Sequence, residues 1–298
     1  MTDHQTTHQA EEDARNEKIG IWLNGRIVPR HEAVVSVYDS GFMLGDGVWE
    51  GLRLYNGTWA FIDEHLEAAK AIDLDIGMTR DQVFQAVIET QKANNMETDA
   101  HARLMVTRGP KTRPFQHPSL SQQGTTIAII MEHSRPSIAR LIHLATVPHI
   151  RGLPMTQDPK LNSHSKLNCI LACIAAEKAG ADEGLMLDVH GFVNTTNACN
   201  FFIVRKGEVW TSTGDYCMNG ITRQKVIDLC RENDIPVYER NFSLVDTYGA
   251  DEAFLTGTFG AQTPVGQIDG RQIGDGALGP VTKRLQGLYK ALIQRETA

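Results

Sequence analysis

The segment from Gln157 to Asn168, QDPKLNSHSKLN, is the point where a strand-like stretch gives way to a helix. After it comes LNCILACIAAEKA, in which Leu167, Ile170, Leu171 and Ile174 recur at helical spacing, so Ser163 or Ser165 is a natural N-cap. Polar groups at such a junction point at whatever lies over the helix start. Lys160, His164 and Lys166 all fall within it.

The rest of the chain divides around this junction. Residues 1–17 are polar and acidic and are expected to form a disordered tail. IGIWLNGRIVPRHEAVVSVYD is expected to give two short strands around the Asn24-Gly25 turn. SGFMLGDGVWEGLRLYNGTWAFIDEHLEAAKAI runs through a strand carrying Arg53, turns at Asn56-Gly57 and enters a helix. A second helix is expected from about Arg80 to Asn94, then the strand HARLMVTRG with Arg103, a Pro/Gly-rich loop containing Arg113 and His117, and the strand TTIAIIMEH. These segments compose an α+β domain over 18–136, and the larger second domain, 142–298, adds strands, the junction and two further helices.

Composition bounds the function. The chain has 298 residues, 41% of them hydrophobic, which suffices for two ordinary domains. A net charge of −7 without a basic stripe speaks against a nucleic-acid partner. No apolar run approaches the roughly 20 residues that span a bilayer, and no signal peptide is evident, so a cytoplasmic protein is expected. Five cysteines without framework spacing fit a reducing compartment, and Cys169 and Cys173 read as packing residues rather than metal ligands.

Two short motifs point to an anion. Gly220-Ile221-Thr222-Arg223 places backbone N–H groups and a hydroxyl at a helix N-terminus, where the aligned peptide dipoles favour negative charge. Thr256-Gly257-Thr258 adds N–H and hydroxyl donors at a strand end, the makings of a small nest. Together they suggest one phosphate cup.

The ordered series LGDGVWEGLRLYNG, HARLMVTRG, AGADEGLMLDVHGFV, NFFIV, GITR, ADEAFLTGT and GPVTKR resembles the fold-type IV pyridoxal-phosphate enzymes. These are the branched-chain aminotransferases, D-amino-acid aminotransferases and aminodeoxychorismate lyases, and the resemblance spans roughly residues 20–292. It implies an α+β, two-domain fold of the D-amino-acid aminotransferase type, a homodimer, and pyridoxal 5′-phosphate in the cleft between domains. It also implies that Arg53, the backbone of Ile221, Thr222, Gly257 and Thr258 hold the cofactor's phosphate.

Two positions depart from the family pattern. Where members read DPxxKSLN, with the lysine that forms the internal Schiff base, this chain has Asn162; where members carry the glutamate that pairs with the pyridine nitrogen, it has Thr195. A threonine there can only hydrogen-bond, which leaves a weaker electron sink. Lys166, four residues on, matches the place of a tyrosine near the cofactor in branched-chain aminotransferases, and Lys160 lies two residues before Asn162. Either one, or neither, takes over the lysine's acid–base work. Arg113 corresponds to an arginine that D-amino-acid aminotransferases direct at the substrate carboxylate, and Arg103 occupies a strand position commonly arginine in the family.

The function implied is transfer of an amino group between an amino acid or amine and a 2-oxo acid. The alternatives are a homologue that keeps the phosphate cup without transaminating, as a lyase- or hydrolase-type or cofactor-independent enzyme, and a cofactor-binding protein without activity.

Overall fold

The computed structural model describes residues 6–62, 71–137 and 140–297. They form two compact units, one holding Glu11–Arg135 and Leu161–Lys166, the other Pro136–Lys160 and Leu167–Arg295 together with the described residues up to Ala10.

In the first unit the strands are β1 (Gly20–Leu23), β2 (Arg26–Pro29), β3 (Gly47–Tyr55), β4 (Thr58–Trp59), β5 (Ala100–Thr107) and β6 (Thr126–His133). They pair in the order β2-β1-β6-β5-β3-β4. The β1–β2 turn works because Asn24 and Gly25 both accept positive φ, 48° and 91°. Period-two alternation sends Val48, Leu52 and Leu54 of β3 and Ala100, Ala102 and Leu104 of β5 into one core. Against it packs helix α2 (Arg80–Ala93), following the short α1 (Ser40–Leu44), through Val83, Ala86 and Val87. A reciprocal capping box of Thr79 and Gln82 starts α2, worth about 1 kcal/mol. The helix expected after Asn56-Gly57 lies largely outside the described residues.

Register places the alternate residues of β3 and β5 on the opposite face, with Gly51 opposite Arg103 and Arg53 opposite His101. Trp49, Arg53 and Arg103 therefore share one side of the sheet. Leu161–Lys166 runs along β3: the Trp49 amide donates to the Asn162 carbonyl (3.0 Å) and the His164 amide to the Gly47 carbonyl (2.9 Å). Ser163, one of the two expected caps, instead accepts the Ser165 amide at 3.0 Å, because its backbone is committed to a bridge with Val48.

The second unit is built on a nine-stranded sheet. Its strands are β7 (Ile142–Thr146), β8 (Glu183–Leu187), β9 (Val193–Thr196), β10 (Asn200–Arg205), β11 (Glu208–Thr211), β12 (Val237–Glu239), β13 (Glu252–Gly257), β14 (Ala261–Ile268) and β15 (Arg271–Gln272). They pair as β12-β11-β10-β13-β14-β7-β8-β9, with β15 on β14 and β9 returning to β10. The helices are α3 (Leu167–Lys178), α4 (Ile221–Glu232), α5 (Leu244–Tyr248) and α6 (Pro280–Glu296). Phe202, Val204 and Phe254 meet α4 and α6 on one face; Phe201, Ile203 and Leu255 meet Phe242 on the other.

Helix α3 packs on β7 and β8 through its small residues, Ala172 and Ala176. A Cβ on Gly184 would stand 2.9 Å from the Ala172 carbonyl oxygen, so this approach needs glycine on one side and alanine on the other. The aliphatic stripe of Leu167, Ile170, Leu171 and Ile174 consequently faces outward.

The N-terminal stretch expected as a tail is ordered where it is described. Ala10 bridges to Pro136, a 3-10 turn spans Ala14–Lys18, and Thr7 is 1% exposed. The partners of Thr7, Glu183 and Cys199, are too distant in sequence for local composition to reveal.

Candidate active site

In the second unit, Asn200 gathers most of the predicted cofactor residues. As the first residue of β10 it lies opposite Thr195 of β9 and opposite Thr256 of β13. Its side-chain amide donates to the Met218 carbonyl at 2.8 Å, which draws the loop before α4 against it. The fit is close: a Cβ on Gly220 would come within 2.6 Å of Asn200 Oδ1. One residue thus ties the α4 start, by its side chain, to the strand that ends in Thr256-Gly257, by its backbone, a link that neither motif announces alone.

The donors at this place are uncommitted in the way an anion requires. Gly220 is the N-cap of the 12-residue helix α4 and supplies no side-chain cap. Ile221 and Thr222 occupy the first two helical positions, whose N–H groups have no intrahelical acceptor. Thr256, 2% exposed, has a buried hydroxyl oxygen with no hydrogen-bond partner among the described residues. Such a group costs about 1–3 kcal/mol unless something binds it. Arg223, by contrast, is turned away: its Nη2 donates to the Ser212 carbonyl (2.7 Å) and to Glu239 (2.9 Å).

Thr195 is buried, and its hydroxyl donates to the Cys199 carbonyl. Its neighbour Thr196 donates to Glu183 at 2.8 Å and accepts the Cys199 amide at 2.9 Å. Lys160, also in this unit, is exposed, with its amide on Asp158.

The first unit holds the other predicted residues. Arg53 is 2% exposed; its Nη1 donates to the Ser134 carbonyl at 2.6 Å, and its guanidinium lies 5.4 Å from the Tyr55 ring. Arg103 stacks over Trp49 at 4.1 Å, and Lys166 Nζ lies 5.6 Å from the centre of the same ring. The structure therefore brings Lys166 and Arg103 together through Trp49, a residue the motifs did not single out. A cation within about 6 Å of a tryptophan ring gains about 0.5–2 kcal/mol. Burial lowers the Arg103 pKa, partly offset by Glu132. Asn162, where the family lysine stands, is buried and clamped to β3 by its backbone. Arg113 sits exposed in its loop.

His164 lies between Asn162 and Lys166. Burial pulls its pKa below the ordinary imidazole value, and its Nε2 is buried without a partner among the described residues. Asp46 forms an ion pair with Arg108 at 2.9 Å.

Residues 47–268 match the family model described as amino-transferase class IV. The branched-chain-amino-acid aminotransferase-like protein 2 of Arabidopsis thaliana is 41% identical over 93% of this chain and 51% of its own length, so the chain spans about half of that relative. A putative branched-chain-amino-acid aminotransferase of Methanocaldococcus jannaschii is 38% identical over 91% of this chain and 95% of its own. Among solved structures, the branched-chain amino acid aminotransferase from Escherichia coli superposes with a TM-score of 0.85 at 29% identity, covering 94% of this chain and 96% of that one. The chain belongs to the class IV aminotransferase family and has the fold-type IV architecture.

Proposed function

We propose that this chain is a pyridoxal 5′-phosphate enzyme that moves an amino group between an amino acid or amine and a 2-oxo acid. The observation that carries this is the donor set tied together by Asn200: N–H groups of Ile221 and Thr222 without an intrahelical acceptor, and a buried Thr256 hydroxyl without a partner among the described residues. That set suits a phosphate dianion. Gly257 and Thr258 are proposed to complete it, as their family positions do, and Arg53 is proposed as a phosphate residue on its family position alone.

When bound, the cofactor supplies an aldehyde for the amino group and a ring that delocalises the electrons left at the substrate Cα. The protein's own groups bind, orient and move protons. Lys166 is proposed as the base that takes the Cα proton on Nζ; it is half-buried against Trp49, whereas Lys160 stands in solvent. Arg103 is proposed to hold the substrate carboxylate, with Arg113 contributing from its loop. Thr195 is proposed to face the ring nitrogen. Because its one proton is given to Cys199, it offers only lone pairs there, and the ring is a weaker electron sink than one held by a glutamate.

The test is an absorption spectrum with added pyridoxal 5′-phosphate, then borohydride reduction and peptide mass mapping. A visible band and a phosphopyridoxyl mass on Lys166 support the proposal. A mass on Lys160 reassigns the lysine. Retained cofactor without any adduct favours a homologue that keeps the phosphate cup and does not transaminate, and no binding removes the cofactor altogether.

A homodimer is proposed from the outward stripe of α3, where Leu167 and Ile170 are 67% and 53% exposed. A reducing, cytoplasmic location is proposed from the five cysteines, all free.

A further inference from the structure

Residues 6–10 lie within the second unit; His8 meets the turn that follows β13 at Phe259, and Thr7 meets Cys199, which lies under Gly257. Thr7 is buried, and both its amide and its hydroxyl donate to Glu183 Oε1. The other carboxylate oxygen, Oε2, accepts from Thr196. The Thr7 oxygen in turn accepts from the Cys199 thiol at 3.2 Å. Cys199 Sγ lies directly beneath Gly257, since a Cβ there would be 3.1 Å from the sulfur. On the other side, the His8 ring stacks on Phe259 with centroids 6.0 Å apart and planes 16° from parallel. The stretch is anchored behind these contacts by the Ser137 amide on the Gln9 carbonyl (3.0 Å) and the Ala10–Pro136 bridge.

Gly257 and Thr258 are therefore bracketed, from below through Thr7 and Cys199 and from beyond through His8 and Phe259. We propose that residues 6–10 are a strap that fixes the 256–259 turn, with Thr7 and His8 as positioning residues for the phosphate donors Gly257 and Thr258. Neither strap residue touches the phosphate. They act by holding the backbone of a two-residue donor set in one conformation before the ligand arrives, which removes part of the ordering cost of binding. The ligand consequence rests on the proposed pyridoxal 5′-phosphate site; the bracing itself does not.

The experiment compares the wild-type chain with Thr7→Val, Thr7→Ser and His8→Ala, and with Ile293→Val as a control for general loss of stability in α6. Hydrogen exchange of the Gly257, Thr258 and Phe259 amides is read first, without ligand. Thr7→Val and His8→Ala are expected to speed it about tenfold, Thr7→Ser to restore it, and Ile293→Val to leave it unchanged. Equal exchange in all variants overturns the strap. Affinity for pyridoxal 5′-phosphate is read second, by equilibrium dialysis, and is expected to fall about tenfold in Thr7→Val and to recover in Thr7→Ser. A wild-type chain that binds no pyridoxal 5′-phosphate overturns the cofactor reading while the exchange data still decide the strap. Faster exchange with unchanged affinity overturns the positioning role.

Discussion

Thr195 gives its hydroxyl proton to the backbone carbonyl of Cys199. The same carbonyl also accepts the Thr196 amide at 2.9 Å, so the hydroxyl is a second donor rather than the sole one. Thr195→Val should therefore be mild, within about 1 kcal/mol. Thr195→Glu restores the family's residue but places a carboxylate in a position 1% exposed. Without cofactor it should destabilise by about 1–3 kcal/mol, or roughly 2–4 °C of melting temperature per kcal/mol. With pyridoxal 5′-phosphate the protonated ring nitrogen gives that carboxylate a partner, and the loss should shrink. Melting curves of both variants with and without cofactor decide this; a Glu variant insensitive to cofactor contradicts the place assigned to Thr195.

Lys166 and Lys160 make opposite predictions. If Nζ of Lys166 carries the Cα proton, Lys166→Met should lower kcat/KM by about 10²–10⁴, the usual share of a positioned acid–base group. Lys160→Met should leave it within about twofold. Steady-state kinetics with saturating cofactor measure both, and the reverse pattern moves the role to Lys160.

Much of this was legible in the sequence, and the misses share a cause. The Asn24-Gly25 turn and the helix from about Arg80 to Asn94 are decided by neighbours a few residues apart, and the structure has both, with α2 over Arg80–Ala93. The start of α4 at Ile221 was equally local. Asn200, Trp49 and Thr7 were not singled out because their importance lies in partners 18 to about 190 residues away: Met218 for Asn200, Lys166 for Trp49, Cys199 for Thr7. Ser163 shows the same limit from the other side. Its sequence suits a helix cap, yet a bridge to Val48 takes its backbone first.

Gly220→Ala tests whether the α4 start binds phosphate. The added methyl meets Asn200 Oδ1 at 2.6 Å, and Asn200 is held in place by its bond to Met218, so the helix start has to shift. Affinity for pyridoxal 5′-phosphate should fall about tenfold, equivalent to about 1.4 kcal/mol. Binding of pyridoxal, which lacks the phosphate, should change little. Equal losses for the two ligands would locate the effect elsewhere than at the phosphate.

His164 and His133 set a pH dependence of stability. Burial lowers the pKa of both in the folded chain; at His133 the Arg15 charge adds to it. A lowered folded-state pKa means the unfolded chain binds the proton more readily. Their contribution is complete above the ordinary histidine pKa, near 6.5, and is lost as pH falls through the lowered folded values. The melting temperature should therefore drop between about pH 7 and pH 5, and the drop should be shallower in His164→Gln. A pH profile of the variant that parallels the wild type would show that His164 does not titrate with unfolding.

The outward stripe of α3 makes the last prediction. A helix that packs through Ala172 and Ala176 buries little apolar area of its own, while Leu167, Ile170, Leu171 and Ile174 stand at i, i+3, i+4 and i+7 on one side. Such a surface is costly in water unless a second copy covers it, at about 25 cal/mol per Å² of apolar area removed from solvent. Ile170→Asp puts a charge in the centre of the stripe, where burial against a second copy would leave it unpaired. Sedimentation should report a dimer for the wild type and a monomer for the variant at the same micromolar concentration. Because Ile170 is exposed within its own chain, the fold of the monomer should change by no more than about 0.5 kcal/mol. A wild-type chain that sediments as a monomer would remove the dimer, and a variant that still dimerises would place the interface on another surface.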